Sequence, residues 1–449
     1  MMKGQSLLAR SARWATIPIC LLAGLAEAQT SIYSLDDLID RALRHNAEIL
    51  AGRADVDEAQ AQLRQARGAF ILPRLRLESI GGLTPDAEGD VFNPPSDTSG
   101  VRDLGPFARA QLEFVQPLYT FGLLSNLHGA AKAGVEVEEA KLSSTRLGVE
   151  HQIKELYFGI LLAQDLTRLV ERLREELAAW EDDVTLDNPD IPVSAPFKLK
   201  LALLQLRKRS TQLNDGLQFA RSALAWTTGL PEDQAFAVAG DLNATTSIVP
   251  PIDELYAQAL RQQPDLRHLK AGLDARQRQE QAARSAYYPQ VFLSGGIRYA
   301  IAPGRTDQHN PFVKDEFNLF NGGVFLGLRQ SFEWNMLGAD LDKARAKRRQ
   351  LEAIETTAAQ GIRVEIRRAY DAYRQSQQDV VSTREARNLT REWLQLARDE
   401  YELEPSSVKE LVSAFEALGA TEEAYYRALH KDNLTLADLE LAIGGRLTP

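Results

Sequence analysis

The sequence predicts a mainly α-helical chain with a small β part, built from two copies of one unit: a helix, two strands and a long coiled-coil hairpin of helices. Three observations carry this. The first half of the chain is echoed in the second at an offset of about 217 residues. Segments of strict period-two patterning lie between the helices. Long stretches free of proline then switch to apolar spacings of three and four. With 44% hydrophobic and 25% charged residues, composition alone reads as an ordinary soluble chain, so any membrane argument must come from patterning. A formal charge of −10 argues against a nucleic-acid binder, which would carry a basic face.

The repeat is collinear. Leu38, Ala42, Leu43 and Asn46 match Leu255, Ala259, Leu260 and Gln263. Ala54, Asp57, Gln62, Ala66 and Arg67 match Ala271, Asp274, Gln279, Ala283 and Arg284 at the same offset, and Pro73 matches Pro289 with one residue slipped. Gln116 corresponds to Gln330, Gly122 to Gly338, and Pro192-x-Ser194 to Pro405-x-Ser407. The organisation expected is a leader over 1–28, a first repeat over 29–229, a linker over 230–253 and a second repeat over 254–449.

The leader reading rests on Lys3, Arg10 and Arg13, a short apolar stretch broken by Pro18, and Ala26-Glu27-Ala28, which fits a small-x-small cleavage site. Cys20 lacks the flanks of a lipid-attachment site and would leave with that segment, so thiolate metal sites and Cys nucleophiles are not expected. No later stretch has the ~20 apolar residues of a membrane helix; an exported chain of this kind is soluble or spans as a barrel.

Within a repeat the first helix starts after Ser34, an N-cap followed by Asp36 and Asp37, and is expected to run unbroken to about Phe70, ahead of Pro73. Alternation follows. Leu75 and Leu77 alternate with Arg74, Arg76 and Glu78; after a Gly/Pro/Asp-rich loop at about 81–106, Ala108, Ala110, Leu112 and Phe114 alternate with Arg109, Gln111 and Glu113. In the second half Val291, Leu293, Ile297 and Tyr299 oppose Ser294 and Arg298, while Val324, Leu326 and Leu328 oppose Gly327 and Arg329. Segments of about 9–11 residues with one apolar and one charged face suit a tilted strand crossing a bilayer. From about Leu123 the period changes: Ile153, Leu156, Ile160, Ala163, Leu166, Val170, Leu173, Leu177, Trp180 and Val184 form a heptad-like stripe. A helix of about 60 residues would be on the order of 90 Å long. Pro189, Pro192 and Pro196 break it, and a return helix runs to about Trp226; the second half repeats this from about Leu337 to Glu402, through Glu404-Pro405-Ser406-Ser407, and back to about Ile443.

Four strands cannot close a barrel, for which about eight is the practical minimum, and lipid does not tolerate open strand edges. Several copies must therefore pool their strands, and a trimer would supply about twelve, within the known range of barrel sizes.

These features bring the chain close to a known family. It resembles the TolC-type outer-membrane efflux and export channels over nearly all the sequence after the leader. The resemblance is carried by Leu35-Asp36-Asp37-Leu38 with Ala42-Leu43 and Asn46, by Gln263-Pro264-Asp265-Leu266 beside that family's Asn-Arg-Pro-Asp-Leu signature, by Gln116-Pro117-Leu118-Tyr119-Thr120-Phe121-Gly122 at the strand-to-helix turn, and by Thr228-Gly229-Leu230-Pro231 at the end of the first return helix. One departure is at the hairpin tips, where the family often has glycine before Ser or Thr; here proline fixes φ instead.

The resemblance implies a homotrimer with a 12-stranded transmembrane β-barrel continued by a periplasmic α-barrel, in the Gram-negative outer membrane. It implies a passive duct, not an enzyme, with no cofactor. An inner-membrane transporter of the RND, ABC or MFS class would drive export through a periplasmic adaptor (membrane fusion) protein. Adaptor or pump would meet the tips Pro192, Val193, Ser194, Pro405, Ser406 and Ser407. An acidic ring from Asp399, Glu402 and Glu404, with Glu400 nearby, would line the entrance. Lipid of the outer membrane would face Leu75, Leu77, Ala110, Leu112, Phe114, Val291, Leu293, Val324, Leu326 and Leu328. A basic cluster, Lys343, Arg345, Lys347, Arg348 and Arg349, would either meet lipid head groups or peptidoglycan or pair with nearby acids. Catalytic readings find little support: the chain has no Gly-x-Ser-x-Gly elbow, no phosphate-binding loop, and histidines 45, 128, 151, 268, 309 and 430 without metal-ligand spacing. The competing reading is a periplasmic coiled-coil adaptor without a barrel, which would carry one helical hairpin flanked by β-rich modules.

Overall fold

The computed structural model describes residues 31–89, 92, 97–98, 103–180, 193–231, 235–307, 312, 314–404 and 407–447. The leader with Cys20, and the tip residues Pro192, Pro405 and Ser406, lie outside the described residues. In chain order the elements are β1 (Ser31–Tyr33), α1 (Leu35–His45), α2 (Ala47–Ile71), β2 (Arg74–Pro85), β3 (Ala87–Glu88), β4 (Asp97–Thr98), β5 (Leu104–Tyr119), α3 (Leu123–Ala179) and α4 (Ala195–Thr228), then β6 (Phe236–Val238), α5 (Ile252–Gln262), α6 (Pro264–Ser285), β7 (Gln290–Ile301), β8 (Leu319–Arg329), α7 (Trp334–Leu403) and α8 (Val408–Ile443).

The opening helix is two helices. Ser34 caps α1 in a capping box with Asp37. At Asn46 the backbone turns extended, and the Asn46 side chain accepts from the backbone N–H groups of Glu48 and Ile49 at 2.9 and 3.3 Å, capping α2. Its amide also donates to the Thr227 carbonyl at 2.9 Å, near the end of α4. The second repeat reproduces the arrangement: Gln263 separates α5 from α6 and donates to the Ala442 carbonyl at 3.2 Å, near the end of α8. Each return helix ends on a left-handed glycine, Gly229 at φ 67° and Gly444 at φ 84°. A Cβ on Gly444 would stand 2.7 Å from the Gln263 Cα, so the cap admits no side chain. The predicted continuous helix is thus corrected by a tertiary hydrogen bond that apolar periodicity does not encode. Asn46→Leu is expected to cost about 2 kcal/mol, since it removes a cap and a buried amide bond together; an unchanged denaturation midpoint would dissociate the break from stability.

The strands are longer than the alternation suggested. The predicted loop at 81–106 is partly strand: β2 runs to Pro85, β5 starts at Leu104, and β3 pairs with β4 between them. The four long strands form one antiparallel sheet in the order β2-β5-β7-β8, leaving β2 and β8 as edges. β1 pairs in parallel with β6, tying the start of the first repeat to the linker.

The helix α3 has 57 residues and α7 has 70, about 85 and 105 Å at the α-helical rise. Both run the full height of the helical part. Near the sheet the packing order is α2, α3, α6, α7; beyond the break it is α4, α3, α8, α7. The result is a wall whose edges are α2 and α4 on one side and α7 on the other. Ile153, Ile160, Leu166, Val170, Leu173 and Leu177 of the predicted stripe are buried in its core. One core cluster joins both hairpins near the tips through Leu173, Leu177, Leu199, Leu394, Leu411 and Phe415. Two others sit at the ends of the return helices: one at the end of α4, which also takes in Val380, Ala428 and Leu429 of the second repeat, and one at the end of α8.

Candidate functional site

The register of the sheet sorts its side chains onto two faces. On one face lie Leu75, Leu77, Ala110, Leu112, Phe114, Leu293, Val324 and Leu326, through the pairs Leu75↔Phe114, Leu77↔Leu112 and Leu293↔Leu326. Val291 and Leu328 pair with each other on the same face, and a shift between Pro117 and Tyr119 brings Tyr119 opposite Val291. This face is apolar and open: Leu77 is 72% exposed, Leu326 71% and Phe320 76%. An uncovered apolar surface of four strands marks an interaction surface.

The other face carries every charged residue of the four strands. Arg74, Arg76, Glu78, Arg109, Glu113, Arg298 and Arg329 share it with Gln111, Asn321 and Ser294. Gln111 accepts from Arg298 Nε at 3.0 Å and donates to Glu113. Gly296 and Gly323 face each other at the middle of β7 and β8, where a Cβ on Gly296 would meet the Leu112 carbonyl at 2.8 Å.

At the opposite end of the molecule α7 finishes with Asp399, Glu400, Glu402 and the C-cap Glu404, all exposed. A helix C-terminus is the negative end of the macrodipole, so acids there work against the helix by about 0.3–1 kcal/mol each. Helix stability therefore does not account for them. Tyr401 packs instead against the core cluster near the tips. Val193, 75% exposed, and Ser194 precede α4, and Ser407 Oγ donates to the Glu404 carbonyl at 2.8 Å at the start of α8. Ties join the two hairpins close by: Arg398 to Glu176 at 2.7 Å links α7 to α3, and Arg209 to Glu423 at 2.5 Å links α4 to α8.

Three polar clusters escaped sequence reasoning. Asp432, buried in α8, accepts from the Thr245 backbone N–H and hydroxyl at 2.8 Å each and from Ser376 Oγ at 3.1 Å. Tyr373 OH meets the same Thr245 hydroxyl at 2.8 Å, so the linker is pinned to α7 and α8. Further along α8, Lys154 is buried between Glu150 and Glu440 at 3.0 and 2.7 Å, and Arg446 reaches Glu150 and Asp36 at 3.1 and 3.2 Å. Burial works against the Glu150 charge, but Lys154 and Arg446 outweigh it and hold the carboxyl below the usual range. The third cluster is the Asn46 and Gln263 pair. Its signal was legible, since a polar residue stands at the same repeat position twice. In the basic cluster, Arg348 binds Glu280 at 2.7 Å and Arg345 pairs with Asp342 at 3.3 Å and Glu280 at 3.6 Å, so these two arginines clamp α7 to α6.

No helix among the described residues is long and apolar enough to cross a membrane. Comparison with known proteins agrees with this arrangement. The model of a family described as outer membrane efflux protein matches residues 38–179 and 255–445. The chain is 24% identical over 424 residues to the cation efflux system protein CusC of Escherichia coli O157:H7, covering 91% of this chain and 85% of that protein. In fold it is similar to the outer membrane channel MtrE of Neisseria gonorrhoeae, with a TM-score of 0.76, 18% identity, and coverage of 92% of this chain and 89% of that one. It is likewise similar to the outer membrane protein VceC of Vibrio cholerae, with a TM-score of 0.73, 18% identity, and coverage of 92% and 96%.

Proposed function

Because the chain belongs to the outer membrane efflux protein family, we propose that it is the outer-membrane duct of a tripartite efflux or type I secretion system. The single observation that carries the reading beyond family membership is the sorting of the sheet. All of its charge is on one face and none on the other, while β2 and β8 have no second strand partner among the described residues. A sheet of that kind is stable in lipid only when its edges are closed by further copies and its charged face encloses water. Leu75, Leu77, Ala110, Leu112, Phe114, Val291, Leu293, Val324, Leu326 and Leu328 then face lipid.

Three copies would close a 12-stranded barrel, and their helices a tunnel reaching into the periplasm. The wall edges support closure. On α4, Phe197, Leu201 and Leu204 are exposed at spacings of four and three; on α7, Leu389, Leu396 and Leu403 are exposed at spacings of seven. These are coiled-coil spacings left exposed among the described residues, and a neighbouring copy would supply their partner. The two repeats, 29–229 and 254–449, each contribute half of a protomer's share, joined by the 230–253 linker. The adaptor reading loses to the family match and to the sheet inserted between the helical hairpins.

The duct is passive and has no catalytic role. A periplasmic adaptor and an inner-membrane transporter of the RND, ABC or MFS class would energise it, meeting the tips at Pro192, Val193, Ser194, Pro405, Ser406 and Ser407. Asp399, Glu402 and Glu404, repeated by threefold symmetry, would form a cation-favouring ring at the entrance. The ties Arg398–Glu176 and Arg209–Glu423 would hold that entrance coiled.

Purified protein should run as a trimer in detergent and give small single-channel conductances in a planar bilayer. A monomer that never inserts would sink the barrel. Joint replacement Glu402→Gln and Glu404→Gln should lower cation over anion preference; unchanged selectivity would remove both from the entrance.

A further inference from the structure

The charged face of the sheet has a sign. It carries five arginines, Arg74, Arg76, Arg109, Arg298 and Arg329, against two glutamates, Glu78 and Glu113, in a chain whose overall charge is −10. The excess positive charge therefore runs against the composition of the molecule. Local neutralisation is incomplete: Glu113 stands opposite Arg76, but the ion pairs among the described residues lie in the helices and the connections between them, and none involves a strand arginine.

The arginines are spread along the strands, not gathered at a rim. Arg74 stands opposite Val115, Arg76 opposite Glu113, and Arg109 opposite Ile80 and Ala300; Arg298 stands opposite Gln111 and Asn321. Gln111 orients Arg298 by accepting its Nε–H, which leaves the terminal nitrogens of the guanidinium for another acceptor. At the helix end of the sheet Arg329 lies over the Phe292 ring at 4.9 Å. Beside them Gly296 and Gly323 add no side chain of their own, leaving a hollow bordered by Arg298, Lys314, Gln111, Asn321 and Phe325, with Glu113 as its one acid.

We propose that the barrel lumen is an anion-binding stage for solutes carrying several carboxylate, phosphate or sulfonate groups. The inference rests on the reading of this face as the lumen of a closed barrel. Closure by three copies brings each arginine row round a common axis, where low-dielectric walls focus the field and guanidinium forks offer paired donors to oxyanions. The duct is then two stages of opposite sign in series: an acidic periplasmic entrance and a basic exit.

The test is blockade of single channels in a planar bilayer by tripolyphosphate, added separately to each chamber. Addition from the side of the strand loops should block at low salt. The block should be relieved in 1 M salt, where the screening length falls from about 10 Å to about 3 Å. In the triple variant Arg76→Gln, Arg109→Gln, Arg298→Gln the half-blocking concentration should rise by about tenfold or more. The corresponding lysine variant, which keeps the charge, should retain most of the block and shows that the barrel tolerates change at these positions. Block that is unchanged in the glutamine variant, or that comes only from the tip side, overturns the basic lumen while leaving the duct standing. Absence of any channel from the unaltered protein would overturn both.

Discussion

Leu112→Arg is expected to destabilise the assembled barrel by about 2–4 kcal/mol, and Leu326→Arg by a similar amount, the cost of a cation on the lipid face near the bilayer midplane. Both residues share the apolar face, Leu112 on the pair Leu77↔Leu112 and Leu326 on the pair Leu293↔Leu326. Burial in the single chain would understate this effect, because Leu326 is 71% exposed there and would be scored as a tolerant surface position. The penalty arises only when lipid replaces water. The expected readout is a sharp fall in trimer recovered from outer-membrane detergent extracts. Gln111→Arg, on the charged face directly beside Leu112, should leave that yield near normal. Full yield from both leucine variants would count against the orientation of the sheet.

Asp432→Ala should cost about 2–3 kcal/mol, because it removes the acceptor shared by neutral donors from two other elements. The Thr245 backbone N–H loses its acceptor and is left desolvated, while the Thr245 and Ser376 hydroxyls lose one partner each and keep Tyr373. The effect should be local first. Thr245 anchors the linker, so limited proteolysis should cut between 239 and 250 before the helices yield. Thr245→Val keeps the backbone donor and should cost only about 1 kcal/mol. Equal effects from the two substitutions, or an uncut linker in Asp432→Ala, would show that the network does not hold the linker to α7 and α8.

The strand assignments were legible because charge alternates with apolarity on a two-residue period, and a half-exposed sheet has no other way to write itself. Legibility failed where that contrast disappears. Gly295, Gly296, Gly322 and Gly323 have no side chain to place on either face, and the irregularity between Pro117 and Tyr119 re-aims the end of β5 without altering composition. The heptad stripe made the long helices legible for a similar reason: α7 ends at Leu403 just ahead of Pro405, while α3 is described to Ala179 and the expected break at Val184 to Pro189 lies outside the described residues. The acids at the end of α7 were visible as a cluster, and Tyr401 among them, an aromatic ring whose expected role is core packing, does turn to the core near the tips.

Sequence by itself determined the repeat, the alternation of helices and strands, the two faces of the sheet and the impossibility of closing it within one chain. All of these follow from side-chain periodicity and from counting strands, which are local properties. Tertiary structure alone decided where α1 breaks from α2, which carbonyls Asn46 and Gln263 satisfy, how Asp432 fastens the linker, and that Arg345 and Arg348 clamp α6 to α7. Each of these joins groups far apart in the chain. A polar side chain carries no periodicity that names its partner, and its hydrogen bond exists only once packing has brought that partner within reach and excluded water from both.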